Sequence, residues 1–472
     1  MQSEKSEKFR RQLRQETEQW WQKGWINADL YQTLAEEYQF AALEREARNR
    51  FTGILLGLGS ILLGLGVITY VAANWQGWPR EFRVILLISL FISTNGTGFY
   101  LWRSDRTSGL RRLGQGFLLL GALVLGANMG LMSQMFHQSG SVFELFLLWG
   151  LGVALMAASL RFTPLGIMAL ILVSIGYGLG MLDRFSATLS PFMPLVNHTP
   201  LLIAALFIPL AYGVRSLSLF GFSAIVLVFS LTTNLLTIGQ SVTWSWLYAF
   251  VLMLPPTLLW GYYDFRTLDL NPLDSQNIGQ PTSPPDPYRQ FSQSLAIVYV
   301  SLLLYSLSFK VWWTALPSEP YFYSRHEDFH WLSFLDSFIL AGIAILGYWQ
   351  QLRAFLRPPQ TPNLALNTGT LLITIALTGG ITLSHLQWGP LGAWATVGYN
   401  LLFFTFAIAL LRDGLAQGTR RTFWGGMLLL VMGLLTRMLE YNTDLLLKAL
   451  VFVICGIVVM GAGIWFEKHI TR

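Results

Sequence analysis

From residue 51 onward the chain alternates apolar runs with short polar connections rich in Arg, Asn, Gly or Pro. The runs lie at 51–73, 83–102, 113–135, 142–160, 163–181, 200–213, 217–238, 243–263, 293–314, 331–349, 364–384, 390–411, 422–438 and 445–466. Most approach the roughly twenty apolar residues that a helix needs to cross a hydrocarbon core. The pattern predicts an all-α fold, a polytopic transmembrane helical bundle of about 14 spans, within a range of about 13–15. The run at 200–213 is the shortest and contains Pro209, with Arg215 close behind. It reads as a re-entrant segment or as part of one broken helix.

Residues 1–50 follow a different pattern. Phe9, Leu13 and Trp20 form one apolar stripe, Gly24 stands where a left-handed C-cap belongs, and Asn27 precedes a second stripe of Leu30, Leu34 and Tyr38. This predicts a cytoplasmic helical hairpin. Its stripes either dock a cytoplasmic protein partner on residues 1–45, pack on the chain's own membrane region, or lie at the lipid surface. Because fifty polar residues precede the first apolar run, no cleaved signal peptide is expected. Residues 264–292, with Pro272, Pro281, Pro284, Pro285 and Pro287, read as a Pro-rich cytoplasmic linker. It divides the membrane region into a first half at 51–263, with about eight spans, and a second at 293–472, with about six.

Composition agrees with a membrane setting and removes several function classes. The 472 residues are 53% hydrophobic and 12% charged, against about 25% charged in soluble domains. A single cysteine, Cys455, excludes a disulfide framework, a cysteine zinc site and an iron–sulfur cluster. The net charge of +6 is not a nucleic-acid signal, since the positive excess lies in the connections between apolar runs. With fourteen spans and the N-terminus inside, only seven of the 31 Lys and Arg fall outside: Arg80, Arg83, Arg184, Lys310, Arg325, Arg437 and Lys448. Basic residues near helix ends stay cytoplasmic, so a bacterial inner-membrane protein with both termini cytoplasmic is expected.

Polar residues inside apolar runs are the candidates for chemistry. Asn95, Asn128 and Asn400 must find partners, since an unsatisfied amide costs on the order of 1–3 kcal/mol. They either bond between helices or line a polar substrate or ion path. Lys310 and Asp336 lie near the outer ends of neighbouring runs, where ionisable groups mark functional sites by default. They read as a structural ion pair, as a snorkelling Lys310, or as a proton- or substrate-coupled site. Small residues at Gly53, Gly57, Ser60 and Gly64, and at Ala122, Gly126 and Gly130, predict close helix packing.

His326-Glu327-Asp328-Phe329-His330 fits H-E-x-x-H, in which two histidines one helical turn apart bind zinc. No third ligand follows, Arg325 and Asp328 add charges, and Ser324 with Glu327 equally forms a capping box. His326 and His330 read as a hydrolytic zinc site, as a non-catalytic metal site, or as interfacial histidines at a plain helix start. His137, His198, His326, His330 and His385 all fall on the expected outer side, which leaves room for an outer-face transition metal or a pH response. No cofactor is otherwise expected. No phosphate-binding Gly loop, Ser-His-Asp order or paired acidic residues in the first outer loop is present, so the chain leans away from an enzyme.

Two stretches carry a family resemblance. Trp21 to Leu34, followed by a Gly-rich first run and its exit Ala72-Ala73-Asn74-Trp75, is the first. Gly126-Ala127-Asn128, then Ser133-Gln134-Met135-Phe136-His137 and Leu148-Trp149, is the second. Together they resemble the bacterial membrane-protein family DUF2157, a domain of unknown function. The resemblance implies a polytopic membrane protein with a cytoplasmic helical N-terminus, and brings no established activity. Span number, internal polar residues and the central linker lead to the expectation of a transporter or flippase-like translocator of unknown cargo. The alternatives are a non-enzymatic scaffold, assembly factor or outer-face sensor, and a metal-dependent membrane hydrolase.

Overall fold

The computed structural model describes residues 13–38, 73–104, 108–138, 140–184, 190–241, 245–262, 287–314, 334–355, 368–389, 391–441 and 444–470, with isolated positions at 40, 62, 69 and 70. Every regular element among the described residues is helical. Phe9, the first apolar run with Gly53, Gly57, Ser60 and Gly64, the Pro-rich stretch of the linker, and His326 and His330 lie outside the described residues. The chain divides into two units, Met1–Leu90 and Phe91–Arg472.

In the first unit, α1 (residues 13–22) and α2 (Ala28–Glu37) form the expected hairpin. Gly24 adopts φ +69° between them, and Asn27 caps α2 by accepting the Leu30 N–H at 3.0 Å. Trp21 stacks on Tyr31 with centroids 5.0 Å apart, so the two helices meet through aromatics. Further on, the turn Trp75–Gly77 is tied by Arg83, which donates to Trp78 O and Gln76 O at 2.9 and 3.1 Å.

The remaining elements are α3 (Arg80–Arg103), α4 (Ser108–Met135), α5 (Val142–Leu160), α6 (Thr163–Asp183), α7 (Met193–Asn197), α8 (Thr199–Gly213), α9 (Leu217–Ser241) and α10 (Ser245–Trp260). After the linker come α11 (Pro287–Leu307), α12 (Val311–Thr314), α13 (Leu335–Phe355), α14 (Thr368–Gln387), α15 (Ala393–Ala416), α16 (Arg420–Glu440) and α17 (Leu445–Ile470). Among the described residues, 10 helices are long and apolar enough to cross a membrane. The expected number of about 14 spans is not confirmed, since the first run lies outside the described residues. Apolar stretches in α8, α10 and α13 exist where three of them were expected, but each is only 10–17 residues long. At 1.5 Å per residue an apolar stretch of that length covers about 26 Å at most, short of a ~30 Å core, although the α13 helix itself continues to Phe355.

α8 is the broken helix that Pro209 foreshadows. Residues Ile203–Phe207 widen into a π turn, with the Ile208 N–H reaching back five residues to Ile203 O. Proline has no N–H to donate and its ring crowds the carbonyl four residues earlier, so the ladder reorganises in the turn before it.

One apolar core runs from Ala122 to Leu410, so helices on both sides of the linker share it. The small-residue stripe of α4 packs as expected. Ala122 is fully buried, a Cβ on Gly126 would meet the Trp149 ring at 2.3 Å, and Trp149 Nε1 donates to Ala122 O at 2.8 Å. Among the described glycines, the tightest contact is between the residue that follows α10 and α13, where a Cβ on Gly347 would lie 1.7 Å from Gly261 O. Only glycine permits these backbones to touch.

Candidate functional site

The ends of the helices sort the polar residues. Asn197, His198, Asn234, Ser308, Lys310, Asp336, His385, Asn400 and Arg437 sit toward one end of the second unit, where α6, α9, α14 and α16 finish and α8, α13 and α15 begin. Arg161, Arg215, Arg289, Arg412, Arg420 and Arg421 sit toward the opposite end.

At the polar end, α7 closes on Asn197 and His198, and the prolines Pro194 and Pro200 start the two short helices without losing a ladder bond. His198 Nδ1 lies 2.6 Å from Asp336 Oδ1. Asp336, in the first turn of α13, is 4% exposed; a carboxylate there benefits from the positive end of the helix dipole. Asn234 on α9 donates to Asn197 O at 2.6 Å, and Tyr177 Oη on α6 donates to Asn234 Oδ1 at 2.8 Å with Ser230 O at 3.2 Å. Side chains from α6, α9 and α13 thus converge on the α7–α8 break.

Beyond this contact α8 and α13 part around a cavity of about 110 Å³. Ala204 and Ile208, at the π turn, face Leu340, Ile343, Leu346 and Gly347 across it, and α9, α10 and α11 close its back with Phe220, Leu227, Leu258 and Ser292. From Leu340 to Gly347 the cavity follows about 10 Å of α13. Leu346 is 55% exposed, so the cavity opens toward the surface that lipid covers. An apolar cavity of about 150 Å³ stays dry and takes up benzene; a space this size and this apolar likewise suits hydrocarbon rather than water. Tyr212 and Tyr262, whose hydroxyls bond to each other, close the end away from His198, with Tyr288 4.3 Å from Tyr212 by ring centroids.

The residues singled out from sequence fall in three places. Asp336 joins the α7–α8 break, with His198 as its hydrogen-bond partner. Lys310 and Asn400 join a second cluster at the end of α11. There Lys310 N–H donates to Glu440 Oε1 at 2.6 Å, and Asn400 Nδ2 donates to Ser308 O at 2.9 Å and to Thr396 O at 2.8 Å. Arg437 Nη1 donates to Ser308 O at 2.6 Å and pairs with Glu440 Oε2. Asn95 and Asn128 belong to neither cluster. Asn95 donates to Phe91 O of its own helix at 2.9 Å and lies against Gly121 of α4; Asn128 is buried within α4. Among the described residues no three His, Cys, Asp or Glu side chains gather as a metal site.

Sequence reasoning missed Asn234, Tyr177 and Arg437 as site residues. Asn234 lies inside an apolar run just as Asn95 does, and Arg437 is an arginine within an apolar helix, so the same rule about polar groups at membrane depth identifies both. Tyr177 carried no such mark, because a tyrosine in an apolar run is ordinary.

Residues 18–166 match the sequence model of the family described as predicted membrane protein (DUF2157), a stretch short of half the chain. No curated protein and no solved structure matches the chain.

Proposed function

We propose that the protein translocates amphipathic, lipid-like molecules, with the hydrocarbon part in the α8–α13 cavity and the polar part at the His198–Asp336 end. The observation that supports this reading most is that α8 and α13 touch through a polar pair at one end and separate around an apolar, laterally open cavity below it. A molecule with a polar head and an apolar tail matches that sequence of environments. The π turn in α8 adds to it, since π turns recur at functional sites. We read the membrane as a bacterial plasma membrane, with both termini cytoplasmic and the His198–Asp336 end outward; this rests on the distribution of Arg and Lys.

The test is lipid transfer in proteoliposomes carrying a fluorescent phosphatidylethanolamine, with dithionite added outside. Translocation exposes inner-leaflet label to reduction, so more than half of the fluorescence is lost. Ala224→Trp, which fills the cavity from α9, is expected to slow the loss at least tenfold while the protein still purifies as the wild type does. Wild-type vesicles that behave like protein-free vesicles would overturn the reading.

A second reading has its own observation. The N-terminal hairpin leaves Trp21, Trp25 and Leu30 exposed at 48%, 69% and 48%, which favours a docking module for a cytoplasmic partner. Deleting residues 1–45 separates the two: a scaffold loses its partner, whereas a translocator keeps lipid transfer.

A further inference from the structure

A second opening lies apart from the α8–α13 cavity. It is a groove of about 320 Å³ between α6 and α9, walled by Ile167, Ile171, Ser174 and Ile175 on α6 and by Phe222 and Val226 on α9. Ile171 and Phe222 are 53% and 52% exposed, so the groove opens sideways onto the surface that lipid covers. Both walls belong to helices long and apolar enough to cross a membrane. From Ile167 to Ile175 the groove follows about 12 Å of α6, most of the roughly 15 Å depth of one hydrocarbon leaflet. An extended acyl chain fits a slot of that length and chemistry. Ser174 makes no polar demand on it, because its Oγ already donates to Leu170 O at 2.7 Å.

Charge stands at the end of the groove where both helices start. α6 and α9 run parallel in a fixed register: a Cβ on Gly166 would meet Leu219 at 2.7 Å, and further along Tyr177 Oη lies 3.2 Å from Ser230 O, two pairs with the same separation of 53 residues. That register sets Arg161, in the turn before α6, level with Val214 and so with Arg215, in the turn before α9. Packed helices lie about 8–10 Å apart. Both arginines are exposed, and among the described residues neither side chain has a hydrogen bond or ion pair. Pro164 and Ser218, exposed as well, continue the two walls toward them, three residues before Ile167 and four before Phe222. Thr163, the first residue of α6, precedes Ile167 by about 6 Å of rise. This matches the ~5–7 Å that headgroups add to each face of the hydrocarbon core. Two unpaired cations at the mouth of an acyl-sized slot complement a negative headgroup on a hydrocarbon tail. We propose that the α6–α9 groove binds an anionic phospholipid of the leaflet at this end, with one acyl chain along Ile167–Ile175 and the phosphate between Arg161 and Arg215. The site is separate from the α8–α13 cavity and does not depend on its being a translocation path.

The experiment uses the full chain in phosphatidylcholine nanodiscs titrated with phosphatidylglycerol. Native mass spectrometry reads retained lipid and copy number, and thermal unfolding is followed alongside. The wild type is expected to retain phosphatidylglycerol over phosphatidylcholine saturably, with a rise in unfolding temperature over the same range. Arg161 and Arg215 sit at φ +49° and +54°, so the charges are removed with asparagine, which tolerates that backbone better than most side chains. Arg161→Asn with Arg215→Asn is expected to unfold as the wild type does in pure phosphatidylcholine and to lose phosphatidylglycerol affinity roughly tenfold to thirtyfold. Ser174→Phe fills the slot, leaves both arginines in place, and is expected to lower retention by at least roughly tenfold. Equal retention of the two lipids by the wild type, or unchanged affinity in either variant, would overturn the proposal. Full stabilisation by glycerol 3-phosphate in pure phosphatidylcholine discs would overturn the part given to the acyl chain. A dimer that Ser174→Phe abolishes, with lipid retention unchanged, would assign the groove to a second copy instead. Should a variant fail to fold, the wild-type titration and the glycerol 3-phosphate arm decide alone.

Discussion

Removing His198 alone should harm the protein more than removing His198 and Asp336 together. Asp336 is 4% exposed and its Oδ2 already lacks a hydrogen-bond partner, so the 2.6 Å contact with His198 is the side-chain bond that satisfies its carboxyl group. Breaking a buried pair by deleting one partner costs about 3–5 kcal/mol, whereas replacing both by apolar residues is often close to neutral. The His198 side chain retains 33% exposure, and the water reaching it weakens the pair, which places His198→Leu at the lower end, about 3 kcal/mol. The double variant His198→Leu with Asp336→Leu loses one hydrogen bond and no longer buries a charge, so it should cost about 1 kcal/mol. The coupling is then at least about 2 kcal/mol, roughly thirtyfold in the unfolding equilibrium. Reversible unfolding of the wild type, both single variants and the double variant in mixed micelles, followed by tryptophan fluorescence, measures it. Single-variant losses that simply add, within about 0.5 kcal/mol, would refute the reasoning that the pair is a buried, interdependent unit.

Four further outcomes follow from the packing and the charge distribution. Gly347→Ala puts a methyl group 1.7 Å from Gly261 O, a backbone atom that cannot rotate away; a loss at or above the upper end of about 1–3 kcal/mol for overpacking is expected in the same unfolding assay. Trp149→Phe removes the 2.8 Å bond to Ala122 O and should cost about 1 kcal/mol plus the packing lost against Gly126. Tyr399→Phe removes a hydroxyl placed 2.6 Å from both Thr382 Oγ1 and Thr378 O, with a loss of about 1–2 kcal/mol and no change in lipid transfer. Reporter fusions after His137, Asp274 and Arg325 should read outside, inside and outside; an outside signal at Asp274 would reverse the sidedness drawn from the basic residues.

The amino-acid sequence by itself determined the class of fold, the places of most helices and several local details. A bilayer core offers no water to an exposed backbone, so a long apolar run has few alternatives to a helix, and its ends are marked by Arg, Gly, Asn and Pro. Gly24, Asn27 and Pro209 act within one turn of themselves, which is why the hairpin and the break in α8 were legible residue by residue. The Ala122, Gly126 and Gly130 stripe was legible for a similar reason: a face of small residues must receive a neighbour, whichever helix that is. What only the tertiary structure decided is who the neighbour is. Asp336 meets His198 across 138 positions of sequence and Arg437 meets Ser308 across 129, distances at which helical periodicity carries no information. Apolar faces are nearly interchangeable as partners in lipid, so the pairing of helices, and with it the cavity between α8 and α13, follows from the joint fit of many side chains and a few buried polar contacts rather than from any single run.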